Sequence, residues 1–188
     1  SDPMQPFICQ TSGTWEAYPV VGADGPINAI AYQASDDKIL VGGDFSEIGG
    51  QPHNNLVRLN DNGSLDATFN PNLDAFVSAL AIQSNNKILV GGEFTQVNSQ
   101  AHAGIARLNL DGSLDTSFNP QVAGTVFTIA LQSDGKIVIG GYFSSVNGQD
   151  CRNLARLNPD GSLDGTFIEA NYPVYALVVQ PDDKILMA

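Results

Sequence analysis

A chain of 188 residues has room for one well-cored domain or at most two small ones. Its 43% hydrophobic and 15% charged residues describe a globular protein rather than a disordered one. Eight Lys and Arg at wide intervals against 20 Asp and Glu argue against a nucleic-acid partner, and no run approaches the ~20 apolar residues of a membrane span.

The first residues, SDPM, read as a cloning remnant ahead of Met4, so residues 1–5 stand outside the fold argument. From residue 27 the chain is periodic. RLNDNGSLDATFNP starts at Arg58, RLNLDGSLDTSFNP at Arg107 and RLNPDGSLDGTF at Arg156, each 49 residues after the last. KILVGGDF from Lys38, KILVGGEF from Lys87 and KIVIGGYF from Lys136 keep the same step, and two motifs in register exclude coincidence. The units are 27–75, 76–124 and 125–173, and residues 174–188, ending in KILMA, are the inner half of a fourth. Residues 6–26 hold no full copy of the repeat. A shift of 99 positions nevertheless sets Gly13 on Gly112, Trp15 on Leu114 and Glu16 on Asp115. This segment is expected to be a degenerate outer half of a unit.

Within the middle unit, VSALAIQ (Val77 to Gln83) and KILVGGEF flank a short polar turn and read as a hairpin. After a polar loop, GIARLNL is a third strand; the DGS turn and LDTSF make a fourth. Helical periodicity is absent almost throughout. Four-stranded units of this length are the size of propeller blades. The prediction is an all-β propeller of about four blades in a single domain, 1–188, with the last blade completed by the N-terminal segment. Joining the two half-units removes an open sheet edge. If the halves pair between chains instead, a larger ring or a filament results; a segment cut from a longer propeller is the third reading.

The pattern GG-x-F, a polar loop, then ARLN-x-DGSLD-x-x-F resembles the delta-60 repeat, the DUF5122 type of β-propeller repeat. The resemblance covers residues 27–188 well and residues 6–26 weakly, where the Arg and the DGSLD are missing. It implies a propeller and no particular activity. Such repeats occur in large, mostly bacterial proteins, often secreted or surface-associated.

The DGSLD copies first suggest calcium: Asn109, Asp111 and Asp115 are spaced like the start of a calcium loop, with Gly112 at the bend. Each copy supplies three oxygens where six to eight are needed, so a strand turn with Gly at positive φ is the better reading. In the loops between the second and third strands, Gln51, Gln100 and Gln149 coincide by period, as do His53, His102 and Cys151. Two imidazoles and a thiol are acceptable zinc ligands, but blade spacing holds such groups ~10 Å apart against metal bonds of ~2 Å. Asp44, Glu93 and Tyr142 share the position after the glycine pair, where carboxylates could crowd a central channel. No G-x-S-x-G or H-E-x-x-H motif occurs. Phe45, Phe94 and Phe143, and Phe69, Phe118 and Phe167, recur in every unit as core packing demands. Trp15, Tyr18, Tyr142, Tyr172 and Tyr175 fall outside that scheme; the tyrosines are the better surface candidates.

The functional expectation is a non-catalytic module for protein interaction or assembly, extracellular, at a cell surface or in a virion. It needs no cofactor and displays loops 46–55, 95–104 and 144–153 on one face. Alternatives are a carbohydrate-binding propeller and a self-assembling subunit exchanging half-blades between chains. Partners are therefore a protein, a glycan or a second copy, not nucleic acid. Whether Cys9 and Cys151 pair is left open.

Overall fold

The computed structural model describes residues 7–9, 15–17 and 22–188, the first two segments as strands only. Among the described residues every helix or strand element is a β-strand. At the N-terminus stand β1 (Phe7–Cys9) and β2 (Trp15–Ala17). The first unit runs β3 (Ile27–Gln33), β4 (Lys38–Gly43), a small hairpin β5 (Glu47–Ile48) and β6 (Gln51–Pro52), then β7 (Leu56–Leu59). The second repeats this as β8 (Val77–Ile82), β9 (Ile88–Gly92), β10 (Gln96–Val97), β11 (Gln100–Ala101) and β12 (Ile105–Leu108). The third is β13 (Val122–Leu131), β14 (Ile137–Val146), β15 (Gln149–Asp150) and β16 (Leu154–Leu157). Each is an antiparallel sheet with its second strand in the middle, in the orders β3-β4-β7, β8-β9-β12 and β13-β14-β16. The last half-unit is the hairpin β17 (Leu177–Val179) and β18 (Ile185–Met187).

One expectation is corrected. The LDTSF segments form no fourth strand; each touches the sheet through a single bridge, Leu59 to Leu65, Leu108 to Leu114 and Leu157 to Leu163. The aspartate after each bridge explains why. The Asp66 carboxylate accepts from the Thr68 backbone N–H at 3.0 Å and the Asp66 carbonyl from Phe69 N–H at 3.0 Å, so the chain turns instead of extending. Asp115 and Asp164 close the same turn on Ser117 and Thr166. The turn drives Phe69 and Phe118 inward, where both are fully buried.

The blades pack through the first glycine of each pair. A Cβ on Gly42 would lie 2.5 Å from Val77 Cγ1 of the next blade, one on Gly91 2.8 Å from Val126 Cγ1, and one on Gly140 2.7 Å from Val174 Cγ1. The missing side chain lets each second strand close against the following inner strand. Inner strands are also tied in sequence: Asn28 Nδ2 donates to the Val77 carbonyl at 3.2 Å, and Ser78 Oγ to the Val126 carbonyl at 2.9 Å. Between the first two complete blades Leu40, Leu56 and Phe69 meet Val77, Ile88, Val90 and Phe94; between the next two, Leu89, Ile105 and Phe118 meet Val126, Ile137, Ile139 and Phe143.

The N-terminal strands β1 and β2 pair antiparallel, Cys9 standing opposite Trp15. Shifted by 99 positions, this is the register of Leu108 opposite Leu114. Among the described residues β18 pairs with β17 alone. The expected completion of that blade by residues 6–26 falls largely outside the described residues.

Candidate functional site

Each of the first two β-hairpin loops after a second strand is held by an acid in the segment just ahead of its blade. Asp24 Oδ1 accepts from the Ser46 and Glu47 backbone N–H groups at 2.9 Å each, and its Oδ2 from Ser46 Oγ at 2.6 Å. Asp74 does the same for Thr95 and Gln96. The side-chain hydrogen bond from Ser46, then the backbone bond from Glu47, hold Asp24 below the ordinary carboxylate range. Burial would raise Asp74, but the bonds from Thr95 and Gln96 outweigh it and lower this group too. The third copy has Ala123 at this place and loses the anchor.

A second set of side chains ties each blade to the segment that leads into the next. Asn55, at φ 66°, accepts from Phe45 N–H at 3.3 Å and donates to the Leu73 carbonyl at 3.1 Å. Asn153, at φ 61°, donates to the Ala170 carbonyl at 3.1 Å. Asn54 Nδ2 reaches Asn72 Oδ1 at 2.7 Å. The result is an open, polar groove of about 500 Å³ along the first complete blade and the segment 72–75 that leads into the second, with Asp24, Asp44, Ser46, Asn54, Asn72 and Asp74 on its walls. A neighbouring groove of about 410 Å³ brings Glu93 near Thr125, Tyr142, Ser144 and Arg152.

The sequence candidates divide on this face. Gln51, Gln100 and Gln149 are exposed as the first residues of β6, β11 and β15. Asp44, Glu93 and Tyr142 are also exposed and line the two grooves. The series His53, His102 and Cys151 does not act as a set. His53 is half-buried, with Nδ1 3.2 Å from Asn70 Oδ1. His102 is buried without a partner for Nδ1, and burial pushes its pKa down. Cys151 lies in the third-blade core, its Sγ 3.3 Å from the Leu154 carbonyl, and burial pushes its thiol up. Two of three expected face residues are thus interior, because the short hairpin folds this position back under the loop. Among the described residues Cys151 makes no disulfide, and no three His, Cys, Asp or Glu side chains converge as a metal set. The side chains of Cys9, Trp15 and Tyr18 lie outside the described residues.

The calcium candidates have other occupations. Asp111 Oδ1 accepts from Ser113 N–H at 2.9 Å and Ser113 Oγ at 2.6 Å, while Asn109 Nδ2 donates to Ser113 Oγ at 2.9 Å. The two bonds from Ser113 hold Asp111 below the usual carboxylate range. Asp115 Oδ2 sits between Lys87 Nζ at 2.5 Å and Arg107 Nε at 2.7 Å. Burial would raise its pKa, but the bonds from Lys87, Ser117 and Arg107 outweigh burial and hold it well below the ordinary range. Asp66 repeats the arrangement with Lys38 and Arg58, and Asp164 with Lys136 and Arg156. Each Arg lies over the Phe of its own motif, at 4.5, 4.4 and 4.7 Å from the ring centroid. Arg107 also donates to the Pro159 carbonyl of the next blade at 2.7 Å, as Arg58 does to Leu110. The motif is a brace between and within blades.

Sequence reasoning missed Asp24, Asp74 and the asparagines. A signal was there for one: the aligned column Asn55, Gly104, Asn153 contains only residues that tolerate left-handed φ. It also missed Phe127, whose ring stacks on Tyr175 at 5.3 Å and 7°.

Consecutive antiparallel sheets packed inner strand to inner strand define a β-propeller. The family model for the "Domain of unknown function (DUF5122) beta-propeller" matches residues 34–69, 83–118 and 132–167, more than half of the chain, and the protein belongs to that family. No curated protein matches the chain. Among solved structures it is similar to a crystal structure described as a "putative gluconolactonase", at 15% identity and a TM-score of 0.52. The match covers 95% of this chain and 61% of that one, so the chain spans about three fifths of the neighbour's length. At that identity the likeness is one of fold.

Proposed function

We propose that this is a non-catalytic β-propeller module that binds a protein partner through the loop face, in an extracellular, cell-surface or virion setting. The observation that carries it is the groove along the first complete blade and the segment that leads into the second. Its walls are carboxylates and carboxamides, of which Asp24 is fixed by the Ser46 and Glu47 N–H groups and Asn54 by Asn72, which suits recognition through placed polar groups. The acids of the repeated motif are engaged in ion pairs and turns, and Asp44 and Glu93 stand exposed at strand ends. The exposed Tyr142, and the Phe127–Tyr175 stack, favour a second reading, a glycan platform.

The test is an amide-resonance titration with a panel of oligosaccharides and with acidic, basic and neutral peptides. Binding should perturb residues 46–55, 95–104 and 144–153, and Asn54→Ala and Asn72→Ala should weaken it. Perturbation confined to the Tyr142 and Tyr175 surroundings by saccharide alone replaces the first reading with the second. The structural neighbour's description supplies a sharper control: gluconolactone should be hydrolysed only at the background rate. Turnover that is lost in Asp44→Asn or Glu93→Gln would overturn the non-catalytic reading.

A further inference from the structure

Each internal blade junction uses the same two faces. The face toward the following blade carries Ala31 and Leu40, Ala81 and Leu89, then Ala130 and Val138. The face toward the preceding blade carries Val77, Leu80 and Ile82, then Val126, Ile129 and Leu131. Leu40, Leu89 and Val138 are all 0% exposed at these junctions.

Both faces occur once more, and there they are open. Ile27, Ile30 and Tyr32 of β3 pair with Gly43, Val41 and Ile39 as Val77, Leu80 and Ile82 pair with Gly92, Val90 and Ile88, so they hold the same places on the sheet, yet they are 45%, 68% and 60% exposed. At the other end Val178 and Leu186 occupy the places of Ala130 and Val138 and are 59% and 58% exposed. The two open faces are the two halves of a junction the chain already makes internally, and they do not cover each other within one copy. Solvent-facing isoleucine, leucine, valine and tyrosine on these strands are what a continuing stack of blades would bury.

We propose that a second copy of this chain covers them head to tail, with Val178 and Leu186 of one copy against Ile27, Ile30 and Tyr32 of the next. The pairing register follows from the complete blades. Second and third strands there align Ile39 with Leu59, Ile88 with Leu108 and Ile137 with Leu157. Placed by the repeat, β18 then meets β1 of the other copy with Ile185 opposite Cys9, Leu186 opposite Ile8 and Met187 opposite Phe7. The β1–β2 pair already has the register of an outer half-blade and the β17–β18 pair that of an inner one. Each copy supplies the half that its neighbour needs. The join is heterologous, so it closes into a ring or continues as a filament.

The loop face takes no part in this contact, so its failure would leave the proposed ligand face untouched. The experiment is sedimentation of the 188-residue chain with Ile30→Asp and Leu186→Asp, each alone and then mixed. The wild type should associate with rising concentration. Each variant alone should remain at 19.8 kDa, having one spoiled face. The equimolar mixture should form a one-to-one dimer and stop there, because one intact face remains on each partner. Tyr32→Asp and Val178→Asp repeat the test should a first variant fail to fold. An oxidised Ile185→Cys variant should link through Cys9 into dimers and larger species on a non-reducing gel. A wild type that stays monomeric at every concentration, a mixture that does not dimerise, or a disulfide from the introduced thiol to Cys9 formed only within single chains overturns the proposal.

Discussion

Replacing Asp115 by asparagine removes one charge from a brace that occurs three times. The carboxylate lies between Lys87 Nζ at 2.5 Å and Arg107 Nε at 2.7 Å, with the Asp115 and Arg107 side chains 8% and 9% exposed. Losing one partner of a buried, hydrogen-bonded pair costs about 3–5 kcal/mol. The Lys87 side chain is a third exposed and can turn to water, and the substituted carboxamide would keep the turn on Ser117, so about 2–4 kcal/mol is the expected loss. For a domain of this size that lowers Tm by roughly 4–16 °C at pH 7. The pH dependence separates charge from packing. A carboxyl whose folded pKa is depressed contributes stability that is present above its unfolded value, about 3.9, and is lost as pH falls through the folded value. The gap between wild type and Asp115→Asn should therefore be widest near neutrality and narrow steadily below about pH 4. Thermal unfolding followed by circular dichroism from about pH 7 to about pH 2.5 measures it. A Tm loss that is the same across that range, or no loss at neutral pH, would refute the brace as an ionic device.

Three further outcomes rest on other contacts. Gly91→Ala places a methyl 2.8 Å from Val126 Cγ1 and 3.1 Å from Ile129 Cδ1, and the second-to-third blade junction should lose about 1–3 kcal/mol in urea unfolding. Gly112→Ala meets Phe69 Cδ2 at 2.8 Å and must hold φ at 84°, so it should cost at least the ~1–2 kcal/mol of left-handed strain; an unchanged midpoint would contradict the turn geometry. His102→Cys installs the residue found at the matching place in the third unit, Cys151. Burial lowers the folded pKa of His102, so its neutral form contributes stability above about pH 6.5 that is lost as pH falls toward the folded value. The variant should flatten the stability profile between about pH 5 and 7, read by chemical denaturation at each pH.

The fold was legible because repetition multiplies weak signals. A single KILVGGEF is an ordinary strand, but three copies at one step identify a unit. The site was less legible. Gln51, Gln100 and Gln149 reach the surface as their polarity suggests, whereas His102 and Cys151 do not. His102 and Cys151 follow the two-residue strands β11 and β15, where the chain turns in toward the third strand, and the period alone carries no information on which side is solvent. Asp24 and Asp74 escaped notice because they act on backbone N–H groups 21 to 23 residues away.

What sequence alone determined was the unit: its length, its three main strands and its recurring phenylalanines. These depend on local preference and on burial that every copy must repeat. Tertiary structure decided what the charged motif does. Only the approach of Lys87, Arg107 and Phe118 within one blade, and of Pro159 from the next, turns a calcium-like string into a brace. It also showed that Ile30 and Leu186 stand open while their counterparts in the complete junctions are covered. Exposure is set by what packs alongside, and a repeat looks the same in sequence whether its neighbour is present or not.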